Sequence, residues 1–186
     1  MRVLAIAGSL RPGSYNRKLL LAAGELLPDD VELDVYEELK AVPPYDEDDD
    51  VEPAPAAVAR LRAAIAGADA ILFATPEYNS SIPGQLKNAI DWASRPLATN
   101  VLRNKPVAVV GASTGAFGAV WAQADLRKVL GATGARVVDV ELPLGHAPQR
   151  FDEATGALID ENLRDELREV VWSLVDETVP ARAAAA

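Results

Sequence analysis

The chain has 186 residues, 49% of them hydrophobic, a formal net charge of −10, no cysteine and a single histidine, His146. Without cysteine there are no disulfides, iron–sulfur clusters or thiolate zinc sites; one histidine disfavours a histidine-based metal centre, and the acidity disfavours a nucleic-acid partner. Any redox chemistry must therefore come from a bound organic cofactor.

No apolar run approaches the roughly 18 residues of a membrane span. The apolar opening VLAIA stops at Gly8, too early for a signal peptide. A cytoplasmic protein with no membrane partner is expected. One domain over residues 1–178 accounts for the patterned chain, and the low-complexity tail, residues 179–186, is expected to fray.

In chain order, Val3–Ala7 is a continuous apolar run and reads as a buried strand, followed by GSLRPGSYN. Leu19, Leu20, Ala23 and Leu27 then share one helical face. Val31–Val35 alternates apolar and polar residues, as in a strand near a sheet edge. The acidic run Asp46–Asp50 lacks the glycine and glutamate spacing of a calcium loop and reads as solvated. Val58, Leu61 and Ile65 mark the next helix, and Ala70–Ala74 a second buried strand.

PEYNSSIPG leads from that strand to a helix striped by Leu86, Ala89, Ile90 and Ala93, with Pro83 in its first turn. Val107–Val110 is the fourth strand, followed by GASTGAFG and a helix bearing Ala122, Leu126, Val129 and Leu130. Trp92 and Trp121 fall off the stripes of their helices, which suits either exposure as an oligomer contact or cover for a ligand cleft, or partial burial under a neighbouring loop. Val137–Val140 and a last helix with Leu163, Leu167, Val170, Val171 and Leu174 complete five strand–helix units. The fold expected is a doubly wound α/β sandwich.

Ligands of such sheets bind beyond the carboxyl ends of the strands, where strand order reverses. The three loops of unusual composition follow the first, third and fourth strands, which surround that point in a 2-1-3-4-5 sheet. In the first loop Gly8 and Gly13 allow tight turns, Ser9, Ser14 and Asn16 supply donors, and Arg11 suits a phosphate. The loop matches neither the nucleoside-triphosphate pattern GxxxxGK[ST] nor the dinucleotide pattern GxGxxG. Glu77, Tyr78, Asn79, Ser80 and Ser81 in the second could embrace a flat heterocycle. The small residues of the third let main chain approach a ring closely.

GSLRPGSYNRKL, PEYNSSIPGQLKNAIDWASRP and STGAFGA resemble the signature segments of the NAD(P)H-dependent FMN reductases, which include chromate and quinone reductases; order and spacing agree over about residues 2–175. The resemblance implies a flavodoxin-like fold, non-covalent FMN, NADPH or NADH as hydride donor, a homodimer or homotetramer, and quinones or other small electron acceptors as substrates. It implies an FMN phosphate on Ser9, Arg11, Ser14 and Asn16, with Tyr15 among the cofactor contacts. The ring would lie against Pro76, Glu77, Tyr78 and Asn79, with Ser113, Thr114 and Gly115 at its other edge. STGAFGAVWAQ departs somewhat from the family pattern. No side chain is required as nucleophile or general base.

Two other readings stand beside this one. Gly111–Gly115 spells GxSxG after a strand and before a helix, with Asp139 and His146 downstream in the order of an α/β-hydrolase triad around Ser113. A flavodoxin-type electron carrier would suit the acidity, although Arg11 has no role in it.

Overall fold

The computed structural model describes residues 1–178; the tail expected to fray lies outside them. The strands are β1 (Arg2–Ala7), β2 (Glu32–Val35), β3 (Ala70–Thr75), β4 (Pro106–Ala112), β5 (Arg136–Val137) and β6 (Pro143–Leu144). The helices are α1 (Tyr15–Gly24), α2 (Ala56–Ala66), α3 (Gly84–Ala93), α4 (Val120–Ala132) and α5 (Glu161–Asp176).

All strand pairs are parallel, in the order β2-β1-β3-β4-β5, with β6 also on β4. β5 pairs with the start of β4 (Val107↔Val137) and β6 with its end (Ala112↔Leu144). The expected fifth strand is thus two short pieces separated by a bulging segment, and Val138–Val140 lie outside both.

Side-chain alternation divides the core in two. Ala5, Leu72, Ala74, Ala108 and Val110 face α1 and α5; Leu4, Ile6, Ile71, Phe73, Val107 and Val109 face α2, α3 and α4. Every residue of β3 and β4 is buried, whereas β2 alternates between exposed and half-buried, as its pattern predicted for an edge.

Of Trp92 and Trp121, Trp92 is buried, and fully so, beyond the partial burial expected under a neighbouring loop. The segment after β2 folds over it, the Pro43 carbonyl accepts its indole N–H at 2.9 Å, and Tyr45 meets it edge-on at 4.9 Å. Cover comes from a distant segment, so the helical stripe alone could not reveal it. Trp121 is 48% exposed. Among the described residues, no helix is long and apolar enough to cross a membrane.

Candidate cofactor cleft

The loops leaving β1, β3 and β4 converge on a cleft of about 260 Å3 at the carboxyl edge of the sheet. Its first wall carries Ser9, Arg11, Ser14, Tyr15 and Asn16, its second Pro76, Glu77 and Tyr78, and its third Ala112, Ser113 and Thr114. Asn79 and Gly115 stand outside this lining, and Ala112 was not foreseen.

The first loop begins at a point of close contact. The Gly8 amide donates to the Ala74 carbonyl at 2.8 Å, and a Cβ on Gly8 would come within 2.8 Å of Leu86 Cδ2. Gly13 is different, since a Cβ there would meet nothing within 4 Å. Its missing side chain serves no packing need and keeps the loop surface bare. Ser14 caps α1 by accepting the Arg17 amide at 3.3 Å, which leaves its hydroxyl hydrogen to donate outward.

Arg11 has no carboxylate partner among the described residues. Its guanidinium donates to the Gly13 carbonyl at 3.1 Å and lies 5.9 Å from the centre of the Tyr15 ring, which Lys18 also approaches at 5.4 Å. An unpaired guanidinium, two serine hydroxyls and the positive end of α1 make a donor set suited to a phosphate.

Two residues expected to touch ligand also tether the walls of the cleft. Asn16 is buried, and its amide both donates to the Ala112 carbonyl and accepts the Ala112 amide, each at 2.9 Å. It ties the first loop to the end of β4, and this pair uses only one of the two Nδ2–H donors. Glu77 accepts the amides of Trp121 and Ala122 at 3.0 and 3.1 Å, satisfying N–H groups that the first turn of α4 leaves without helical partners. Both residues position walls of the cleft. Neither tether is visible in sequence, because the partners lie 96 and about 45 residues away.

The second wall ends in a two-residue turn. Tyr78 and Ser81 exchange backbone hydrogen bonds at 3.1 and 3.2 Å, and between them Asn79 and Ser80 take φ values of 53° and 58°. Asn79 is therefore a turn residue at the tip of the loop, away from the cleft lining. Ser81 Oγ donates to Asp125 at 2.8 Å, so α4 holds the turn. Tyr78, 54% exposed, presents its ring at the mouth. With Pro76 it offers a flat apolar surface of the kind an isoalloxazine ring would meet.

The third wall is pressed against the segment around β6. Gly118 has φ +58°, and a Cβ on it would lie 2.1 Å from the Pro143 carbonyl carbon. The Ser113 amide donates to Leu144 O at 3.0 Å, and its hydroxyl to Gly115 O at 3.3 Å. Asp139 is paired with Arg127 at 2.8 Å, and His146 starts a short turn at φ 51°. Serine and aspartate are each engaged with other groups, so no hydrolase relay is assembled. Among the described residues, no three His, Cys, Asp or Glu side chains could hold a metal ion; in the acidic run, Asp50 pairs with Arg62 at 2.8 Å.

The fold, with its cleft at the point where strand order reverses, defines a flavodoxin-like α/β protein. The sequence profile of the NADPH-dependent FMN reductase family matches residues 1–149, and the chain belongs to that family. It is 42% identical over 175 residues to the NAD(P)H-dependent FMN reductase of Pseudomonas aeruginosa, spanning 94% of this chain and 93% of that one. It is 38% identical over 177 residues to a quinone reductase of Pseudomonas putida, spanning 94% and 91%. Among solved structures, FerB of Paracoccus denitrificans, a flavoenzyme NAD(P)H:(acceptor) oxidoreductase, superposes with a TM-score of 0.84 at 36% identity, covering 95% of this chain and 96% of FerB.

Proposed function

We propose that this chain is an FMN-dependent oxidoreductase that takes a hydride from NADPH or NADH and delivers electrons to quinones or similar small acceptors. The observation that carries the reading is the convergence, in one cleft, of an unpaired Arg11 at the start of α1 with the exposed Tyr78 ring across from it. Family membership and relatives named as FMN and quinone reductases support it. They disfavour a flavodoxin-type carrier.

The chemistry supplied by a bound FMN is acceptance of hydride and release of electrons to an oxidant. The chain's own residues bind and orient. Arg11, Ser9 and Ser14 hold the phosphate, Pro76 and Tyr78 flank the ring, and the main chain of Ser113 and Thr114 approaches its other edge. Asn16 and Glu77 keep the three walls in register. No side chain needs to act as nucleophile or general base.

We read residues 1–178 as one FMN-binding domain acting in the cytoplasm, with no nucleic-acid or membrane partner, as a homodimer or homotetramer. Phe117 and Trp121, 65% and 48% exposed with ring centres 5.1 Å apart, support the oligomer as apolar surface that a second copy would cover. The test of the function is the absorption spectrum of protein supplemented with FMN and freed of excess, followed by NADPH-dependent quinone reduction. Stoichiometric flavin, released as the monophosphate on denaturation, and turnover of quinone are expected. Failure to retain FMN at micromolar concentration would contradict the reading.

A further inference from the structure

A second groove lies on the β2 side of the first loop. It encloses about 460 Å3 between Leu10 and Pro12 of that loop and the residues that follow β2, from Tyr36 to Lys40. Ser9 and Arg11 line this groove and the cofactor cleft alike, so one guanidinium borders two concavities.

Three cations, Arg11, Arg17 and Lys40, line the groove against one carboxylate, Glu37, which pairs with Arg17. In a chain of net charge −10 such a local excess of positive charge is a feature that an anion would recognise. Lys40 makes no ion pair or hydrogen bond among the described residues. The turn that carries it is nonetheless fixed, because Gln85 of α3 donates to the carbonyls of Leu39 and Val42 at 2.8 and 2.9 Å.

Tyr36, also on the wall, has a buried hydroxyl without a hydrogen-bond partner among the described residues. Burial, and then the charge of Glu38, raise its pKa, so it remains a neutral phenol with a proton to donate. Leu10 and Pro12 add exposed apolar surface of the kind that flanks an adenine ring. Cations and apolar walls together fit a phosphorylated nucleoside better than a bare ion.

We infer that this groove receives the adenosine end of the hydride donor, with Lys40 and Arg17 on the 2′-phosphate that distinguishes NADPH from NADH. The inference rests on the FMN oxidoreductase reading above. A dinucleotide lying along FMN brings its own pyrophosphate near the FMN phosphate, and Arg11, common to both concavities, is the cation suited to neutralise the pair.

The test titrates FMN-loaded protein calorimetrically with adenosine 2′,5′-bisphosphate, adenosine 5′-monophosphate and inorganic phosphate. The bisphosphate should bind at least about tenfold tighter than the monophosphate, and inorganic phosphate far more weakly than either. Lys40→Gln should erase most of that advantage and lower the kcat/KM ratio of NADPH over NADH by a similar factor, while Lys40→Arg restores it and FMN is retained in both. Equal affinities for the two nucleotides, an unaltered ratio in Lys40→Gln, or phosphate competing as well as the bisphosphate would each overturn the proposal. Protein that retains no FMN would instead overturn the cofactor reading, and the same titration on that protein would still decide whether the groove recognises a 2′-phosphate.

Discussion

The central sheet and the loops at its carboxyl edge are held by different physics. β3 and β4 are buried along their whole length and contribute mostly alanine, valine, leucine and isoleucine, so their order comes from non-directional burial. Beyond their ends the chain becomes polar and repeatedly left-handed, with positive φ at Asn79, Ser80, Ala119 and His146. Such residues are unfavourable by themselves and persist where neighbouring groups dictate them. Here those groups are few and directional: Asn16 on Ala112, Glu77 on the start of α4, and Ser81 on Asp125. The interior should tolerate loss of any one polar contact; the edge should not.

Substitutions in the two regions should therefore fail in different ways. The largest effect is expected for Phe73→Ala, because the ring is 1% exposed and faces the layer of α2, α3 and α4. Unfolding in urea should show a loss of about 3–5 kcal/mol, with FMN affinity lowered only as far as the folded fraction falls. A loss below about 1 kcal/mol would mean that the core repacks and that burial is less decisive than stated.

Asn16→Leu comes next. It removes both bonds to Ala112 and leaves a buried N–H and a buried carbonyl without partners, for about 2–4 kcal/mol. It should also weaken FMN in protein that is still folded, because the first and third walls lose their tether. Wild-type FMN affinity in a destabilised Asn16→Leu would show that the tether supports the fold and not the site.

The smallest effect is assigned to Ser113→Ala, which loses one 3.3 Å hydrogen bond to Gly115 O. Stability should change by less than about 1 kcal/mol and quinone reduction by no more than about threefold. An esterase activity in the wild type that this change abolishes would restore the hydrolase reading.

What the sequence made legible follows the same division. Apolar runs identify β1, β3 and β4, and the alternation of Val31–Val35 identifies the edge strand, because burial on two faces or on one is written locally. The break between β5 and β6 was not legible: the strand signal in Val137–Val140 is apolar, but only Val137 of that run belongs to a strand, and pairing resumes at Pro143. The completeness of Trp92 burial was not legible for a related reason, since its cover is Pro43 and Tyr45. At the site, residue types pointed to three loops that converge on one cleft. The tethering roles of Asn16 and Glu77 depend on partners that only the folded chain supplies.

The central claim is that the loop after β1 holds the phosphate of FMN through Arg11. The most direct measurement compares FMN and riboflavin binding in the wild type and in Arg11→Ala. Arg11 is exposed and, among the described residues, the one hydrogen bond of its side chain is to Gly13 within its own loop, so the variant should remain folded. A charge-assisted contact contributes about 1.5–3 kcal/mol, so FMN should weaken roughly 10- to 150-fold. Riboflavin, which lacks the phosphate, should change by less than about twofold. Equal losses for both ligands would mean that Arg11 shapes the loop without touching phosphate, and no loss for either would place the anion elsewhere.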